Sequence, residues 1–338
     1  MRTYLISVEV SLLLMLASAC GSAKTPTSTP PTAAPTSVPA VEPSEVPAAG
    51  TVEFVWQVTG DEDPLYWPSG LALDGQGTLY VADTRNHRIQ LFDGDGQYLA
   101  TWGGEGPLEG QFNFVWEDPT HNLPAGGLDF DGNGNLIVAD MGNVRIQKLD
   151  SSGSFLARWG GDGTGDGQFA RPLGLAVDGQ GNVFVVDDRI FGSGRVQKFD
   201  NEGNFLVAFG RGLFGDPGLI EVDALGNVYV ADYGRGTVLK FDNDGALLAT
   251  FGGSGRGDGQ FRGPQGIAVD GQANLYVVDS SNARVQKLNS SGEYLLQWGS
   301  RGSEEGQFNE PLDIVLDGQG NIYVSDQFNN RVQKFRDN

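Results

Sequence analysis

Past residue 50 the apolar residues fall into short alternating or β-branched runs, each fenced by turn residues such as Asp-Gly, Ser-Gly and Gly-Asn. That pattern predicts short strands joined by tight turns. The runs also recur in a fixed order. Aligned on the aspartate that ends the first run, Asp74, Asp131, Asp178, Asp223, Asp270 and Asp317 stand 57, 47, 45, 47 and 47 residues apart. The fifth copy reads PQGIAVD, GQANLYVVD, SSNARVQKLN and SSGEYLLQWG, followed by a Gly-rich connection ending GQF. Four antiparallel strands per copy make a propeller blade rather than a helical solenoid. The strands are labelled a to d from the axis outward.

The phrases P-x-G-I/L-A-V-D, N-I/V/L-Y-V-A/V-D and N-x-R-V-Q-K-F resemble NHL repeats, and that resemblance covers essentially all of 51–338. It implies an all-β fold, a six-bladed β-propeller of four-stranded antiparallel blades. The sixth copy stops at RVQKFRDN without a d strand. The segment Thr51 to Gly60 carries Phe54 and Val58 at the positions of Phe155 and Trp159, so the N-terminal strand is expected to join the last blade and close the ring. Closure removes the exposed edges of an open sheet, and the expected state is a monomer.

Most repeated residues read as scaffold. Asp83 with Arg88, Asp140 with Arg145, Asp187 with Arg195, Asp279 with Arg284 and Asp326 with Arg331 flank the b-to-c turns, where bidentate pairing is expected. Blade four has Thr237 in the arginine position, which leaves Arg235 as a partner for Asp232. Phe155, Trp159, Phe205, Phe209, Phe251, Tyr294 and Trp298 recur on d strands and are expected to pack between blades. Asp131 to Asn135 imitates a calcium loop, but Leu136 and Gly142 stand where that loop needs Gly and Glu. GGDGTGDGQF imitates a dinucleotide fingerprint without the helix that would face a phosphate.

Composition supports the all-β reading and narrows the ligand. The 338 residues include 51 Gly, too many for a helical bundle. A net charge of -21 argues against nucleic acid as a partner, because phosphate binding needs Lys and Arg. With one cysteine and two histidines, neither a Cys/His zinc cage nor an internal disulfide can form. Residues 1–20 have the layout of an export signal: Arg2, an apolar run from Val10 to Leu16, then Ala17-Ser18-Ala19-Cys20. The ending resembles a bacterial lipobox, which implies lipidation of Cys20 and an extracytoplasmic protein anchored to the membrane. Residues 21–50 are a Pro/Thr/Ser-rich linker, expected to be disordered, and 51–338 are the propeller.

Function should lie where the copies differ, since shared residues build the ring. Chain direction puts the b-to-c and d-to-a connections on one face, and most length variation falls there: NFVWEDPTHNLP, DRIFGSG and the shortened GRGLFGDP. This loop face carries Tyr66, Trp67, Trp116, His121, Arg189, Phe191, Phe214, Tyr233, Arg235 and Phe328, a recognition-type composition suited to protein, peptide or glycan ligands. At the axis, Asp129 and Glu221 replace Ala and Asp313 replaces Gly on alternate blades. These three carboxylates are candidate ligands for calcium, the one cofactor considered, with none required. Two functions therefore compete. One is a non-catalytic binding module with no catalytic residues; the other is a hydrolase resembling the calcium-dependent six-bladed lactonases and arylesterases. The peptide-amidating lyases, which also use NHL-like blades, need several histidines for zinc.

Overall fold

The computed structural model describes residues 50–60, 63–115, 126–188 and 194–338. They form six four-stranded antiparallel sheets. In blade five the strands are Pro264–Val269, Leu275–Asp279, Arg284–Leu288 and Tyr294–Trp298. Inner strands of successive blades touch all the way round, including that of blade one with that of blade six. The strand Val52–Val58 pairs antiparallel with Arg331–Asp337, matching Phe54 to Phe335 and Val58 to Val332. The expected closure by the N-terminal strand is what the sheet shows.

Burial follows from this geometry. Strands b and c are enclosed between neighbouring blades, so runs such as Val183–Asp187 and Arg195–Phe199 are buried at every position. Strands d form the rim and alternate, as in Phe155–Gly160. Glycine lets the inner strands converge: a Cβ on Gly70 would stand 1.9 Å from the Gly126 carbonyl oxygen. The c-to-d turns need glycine for two reasons. Gly153 has φ +81°, and a Cβ there would meet the Trp102 ring of the preceding blade at 2.6 Å. The same fit recurs for Gly203 on Trp159, Gly245 on Phe209 and Gly292 on Phe251, so the d-strand aromatics do pack between blades.

All five expected Asp–Arg pairs form, through Arg Nε at 2.6–2.9 Å from one aspartate oxygen. They are not bidentate. Nη2 of each arginine goes to carbonyls of the incoming d-to-a connection, as with Arg195 Nη2 on Gly165 O and Gln168 O at 2.7 Å each. The other aspartate oxygen accepts a backbone N–H from the same connection, from Ala170 to Asp187 at 2.7 Å. Each pair therefore fastens a loop to the next blade. In blade four Arg235 lies 3.6 Å from Asp232, which instead accepts amides of Gly215 and Asp216.

Candidate functional site

Two places carry candidate chemistry, the loop face and the axis. On the loop face the backbone itself brings three aromatics together. Tyr66 N–H donates to Asp83 Oδ1 at 2.7 Å, and Trp67 N–H donates to Asn330 Oδ1 at 3.0 Å across the blade six to blade one seam. Trp67 sits at φ 57°, in the left-handed region that a bulky side chain rarely adopts. This turns its ring toward Phe328, 5.2 Å between centroids, with Tyr66 on its other side at 6.1 Å. The Arg85 guanidinium lies 4.2 Å from the Trp67 ring centre. Tyr66 and Phe328 remain 50% and 46% exposed, so the cluster is not core.

The other expected face residues divide. Tyr233 is exposed on blade four and lies against Gly263 of blade five, with Arg235 nearby on Asp232. Phe214 is a correction: it is 1% exposed and packs on Phe241, because the shortened connection folds inward instead of projecting. Trp116, His121, Arg189 and Phe191 lie outside the described residues, as does Cys20. Arg85 and Asn330 were not anticipated. Arg85 occupies the middle of the b-to-c turn, the position that holds Phe328 in blade six and Gly142 and Ser281 in blades two and five. Variation at that one position was the signal available.

At the axis the inner strands enclose a cavity of about 250 Å³ whose wall includes Asp129, Glu221 and Asp313. Each aspartate bridges to the next blade. Asp129 accepts N–H bonds from Phe130 and Val177 at 2.7 Å, and Asp313 accepts them from Ile314 and Leu71 at 2.8 Å. These amides face the channel and would otherwise lack a partner. Glu221 differs, since no hydrogen-bond donor meets it among the described residues. Both oxygens of each aspartate are therefore committed, and among the described residues no three His, Cys, Asp or Glu side chains stand close enough to hold a metal ion. As placed, the axial acids do not form a calcium cage.

Enclosure raises all three pKa values. Burial pushes Asp129 up to about 6 and Asp313 up to about 7, against the pull of their amide bonds. Glu221 is raised well above the ordinary range by burial first, then by the charges of Asp129, Asp313 and Asp223. Between about pH 4 and 7 the unfolded chain ionises these carboxyls while the folded ring keeps its protons. Their contribution to stability is thus full at about pH 4 and is lost as pH rises through 6 and 7. Glu221→Gln is expected to raise the melting temperature at pH 8 by several degrees and to flatten its fall between pH 5 and 8, since one pKa unit is about 1.4 kcal/mol. A melting series across that range checks it; an unchanged slope would contradict it.

Residues 65–92, 169–199, 261–288 and 308–335 match the NHL repeat family. Four of the six blades thus carry a segment similar to the NHL repeat. Over 124 residues the chain is 29% identical to Protein brain tumor of Drosophila melanogaster, a match covering 36% of this chain and 11% of that protein. It is 38% identical over 88 residues to NHL repeat-containing protein 2 of Bos taurus, covering 25% of this chain and 12% of that one. The matches thus span about a tenth of these relatives' length. Among solved structures, a gluconolactonase from Xanthomonas campestris superposes with a TM-score of 0.60 at 19% identity, covering 81% of this chain and 86% of its own. At that identity the likeness is one of fold. The two blades outside the NHL match are blade two, which receives the long connection, and blade four, which lacks the arginine.

Proposed function

We propose that this NHL propeller is a non-catalytic binding module, held outside the cytoplasm by a lipidated Cys20 and the 21–50 linker, that takes protein, peptide or glycan ligands on its loop face. The observation that carries this reading is the Tyr66–Trp67–Phe328 cluster with Arg85 against it. Tyr66 and Phe328 are left about half exposed beside Trp67 and a guanidinium, which packing of the ring does not require. Flat aromatic faces beside a guanidinium suit sugar rings and peptide side chains alike. The export layout at residues 1–20 supports a site facing outward.

The test is binding of the full chain to arrays of immobilised peptides and glycans, compared with the Tyr66→Ser/Phe328→Ser variant. These exposed positions can change without loss of fold. The variant is expected to lose at least tenfold in affinity, about 1.4 kcal/mol; equal binding by both proteins would reject the loop face. The alternative, a calcium-dependent lactonase- or esterase-like hydrolase with an axial metal, has one observation in its favour, the unbonded Glu221 in the axial cavity. A calcium-dependent rise in melting temperature that vanishes in Glu221→Gln would favour it.

A further inference from the structure

The polar atoms around the Tyr66–Trp67–Phe328 cluster divide by kind. Its acceptors are spent inside the protein. The fully buried Asp83 takes the Tyr66 N–H on Oδ1 and Asn86 Nδ2, Arg88 Nε and Gln90 Nε2 on Oδ2. Tyr66 O accepts the Arg85 N–H at 3.0 Å, and Asn330 Oδ1 accepts the Trp67 N–H. That last bond fixes the Asn330 amide, so that Nδ2 is the end left over. Among the described residues Nδ2 meets no acceptor, and the Arg85 guanidinium has neither a hydrogen-bond acceptor nor an ion-pair partner.

Arg85 is nonetheless held in place. Its Cζ lies 4.2 Å from the Trp67 ring centre, and the residue stays partly exposed. A guanidinium over a ring face keeps N–H groups free at its edge, where they can bond a carboxylate in pairs. Cation and rings share one small patch. Phe328 and Tyr66 flank the same indole, tilted to it by 48° and 65°. Rings at such angles make a cleft for an apolar side chain, not the flat platform on which a sugar stacks.

We infer that this cluster, on the reading that the loop face is the binding site, recognises an acidic peptide segment of a partner protein. A Glu or Asp carboxylate sits on the Arg85 guanidinium, and a neighbouring apolar side chain sits against Tyr66 and Phe328. One free cation matches one carboxylate. A polyuronate or an RNA carries a charge on every unit, more than this patch can meet, and would approach a chain of net charge -21. A neutral glycan brings hydroxyl donors as well as acceptors, and its donors would find the neighbouring carboxylate and amide oxygens already bonded.

The test probes the full chain on an array of N-acetylated, C-amidated hexapeptides. Each pairs one Glu with one aromatic or branched apolar residue and is matched by its Gln counterpart. Neutral oligosaccharides, oligogalacturonate and single-stranded RNA share the array. The best Glu peptides are expected to bind at least tenfold more tightly than their Gln partners. Arg85→Gln is expected to abolish that preference, whereas Tyr66→Ser/Phe328→Ser weakens Glu and Gln peptides alike. Equal binding of Glu and Gln peptides by the native chain, no binding of any peptide, or tighter binding of a glycan or of RNA would overturn the inference, and none of these depends on a variant that could fail to fold. If the tighter glycan or RNA binding still fell in Tyr66→Ser/Phe328→Ser, the loop face would stand as the site and only the acidic ligand would be wrong. Binding untouched by either variant would reject both.

Discussion

Removing residues 51–60 is expected to unravel the ring, with a melting temperature lower by more than about 15 °C or with aggregation on purification. The strand Val52–Val58 gives Arg331–Asp337 its only outer partner, in six matched residue pairs. It also places Phe54 against Phe335 and Val58 in the core shared with Leu71 and Val81. Six ladder pairs at about 1 kcal/mol each, with Val58 buried and Phe54 partly so, rival the 5–15 kcal/mol total stability of a typical domain. The freed edge of Arg331–Asp337 would then invite pairing between molecules. Melting by circular dichroism with gel filtration decides it, and a folded monomer within a few degrees of the parent would show that the ring does not depend on its closing strand.

The second large effect is expected at Arg195. It is fully buried, with Nε 2.9 Å from the equally buried Asp187 and Nη2 on two loop carbonyls. Arg195→Met keeps the apolar stem but leaves a buried carboxylate without its cation, which typically costs 3–5 kcal/mol. In a domain of this size that lowers the melting temperature by roughly 6–15 °C. Adding Asp187→Asn removes the stranded charge and is expected to restore part of the loss. Blade four supplies the natural comparison: with Thr237 in place of arginine, Asp232 takes amides of Gly215, Asp216 and Arg235 instead. If Arg195→Met melted within 2 °C of the parent, the pair would not be what holds the connection on blade three.

The ring was legible because each blade repeats the same instructions, so the period, the strands and the orphan closing strand all showed in the chain. Individual contacts were less so. Asp129 and Asp313 look like a metal set in sequence, but their partners, Val177 and Leu71, lie 48 and 242 residues away on the next blade. Only the closed ring brings those edge amides alongside. Phe214 looks like a loop aromatic, and the inward fold of a shortened connection makes it core. The arginines were expected to fork onto carboxylates, yet only Nε meets the paired aspartate, because Nη2 is taken by carbonyls of the incoming connection. Arg85 gave no aromatic signal of its own and became visible beside Trp67 through the left-handed turn at that residue.

The central claim is that recognition belongs to the loop face. Hydrogen exchange of the full chain, with and without the tightest ligand found on the arrays, tests it most directly. The account predicts slowed exchange at residues 63–67, 84–87 and 327–330 and unchanged exchange along the inner strands at 128–130 and 219–222. Protection confined to those inner strands would contradict it and place the ligand at the axis.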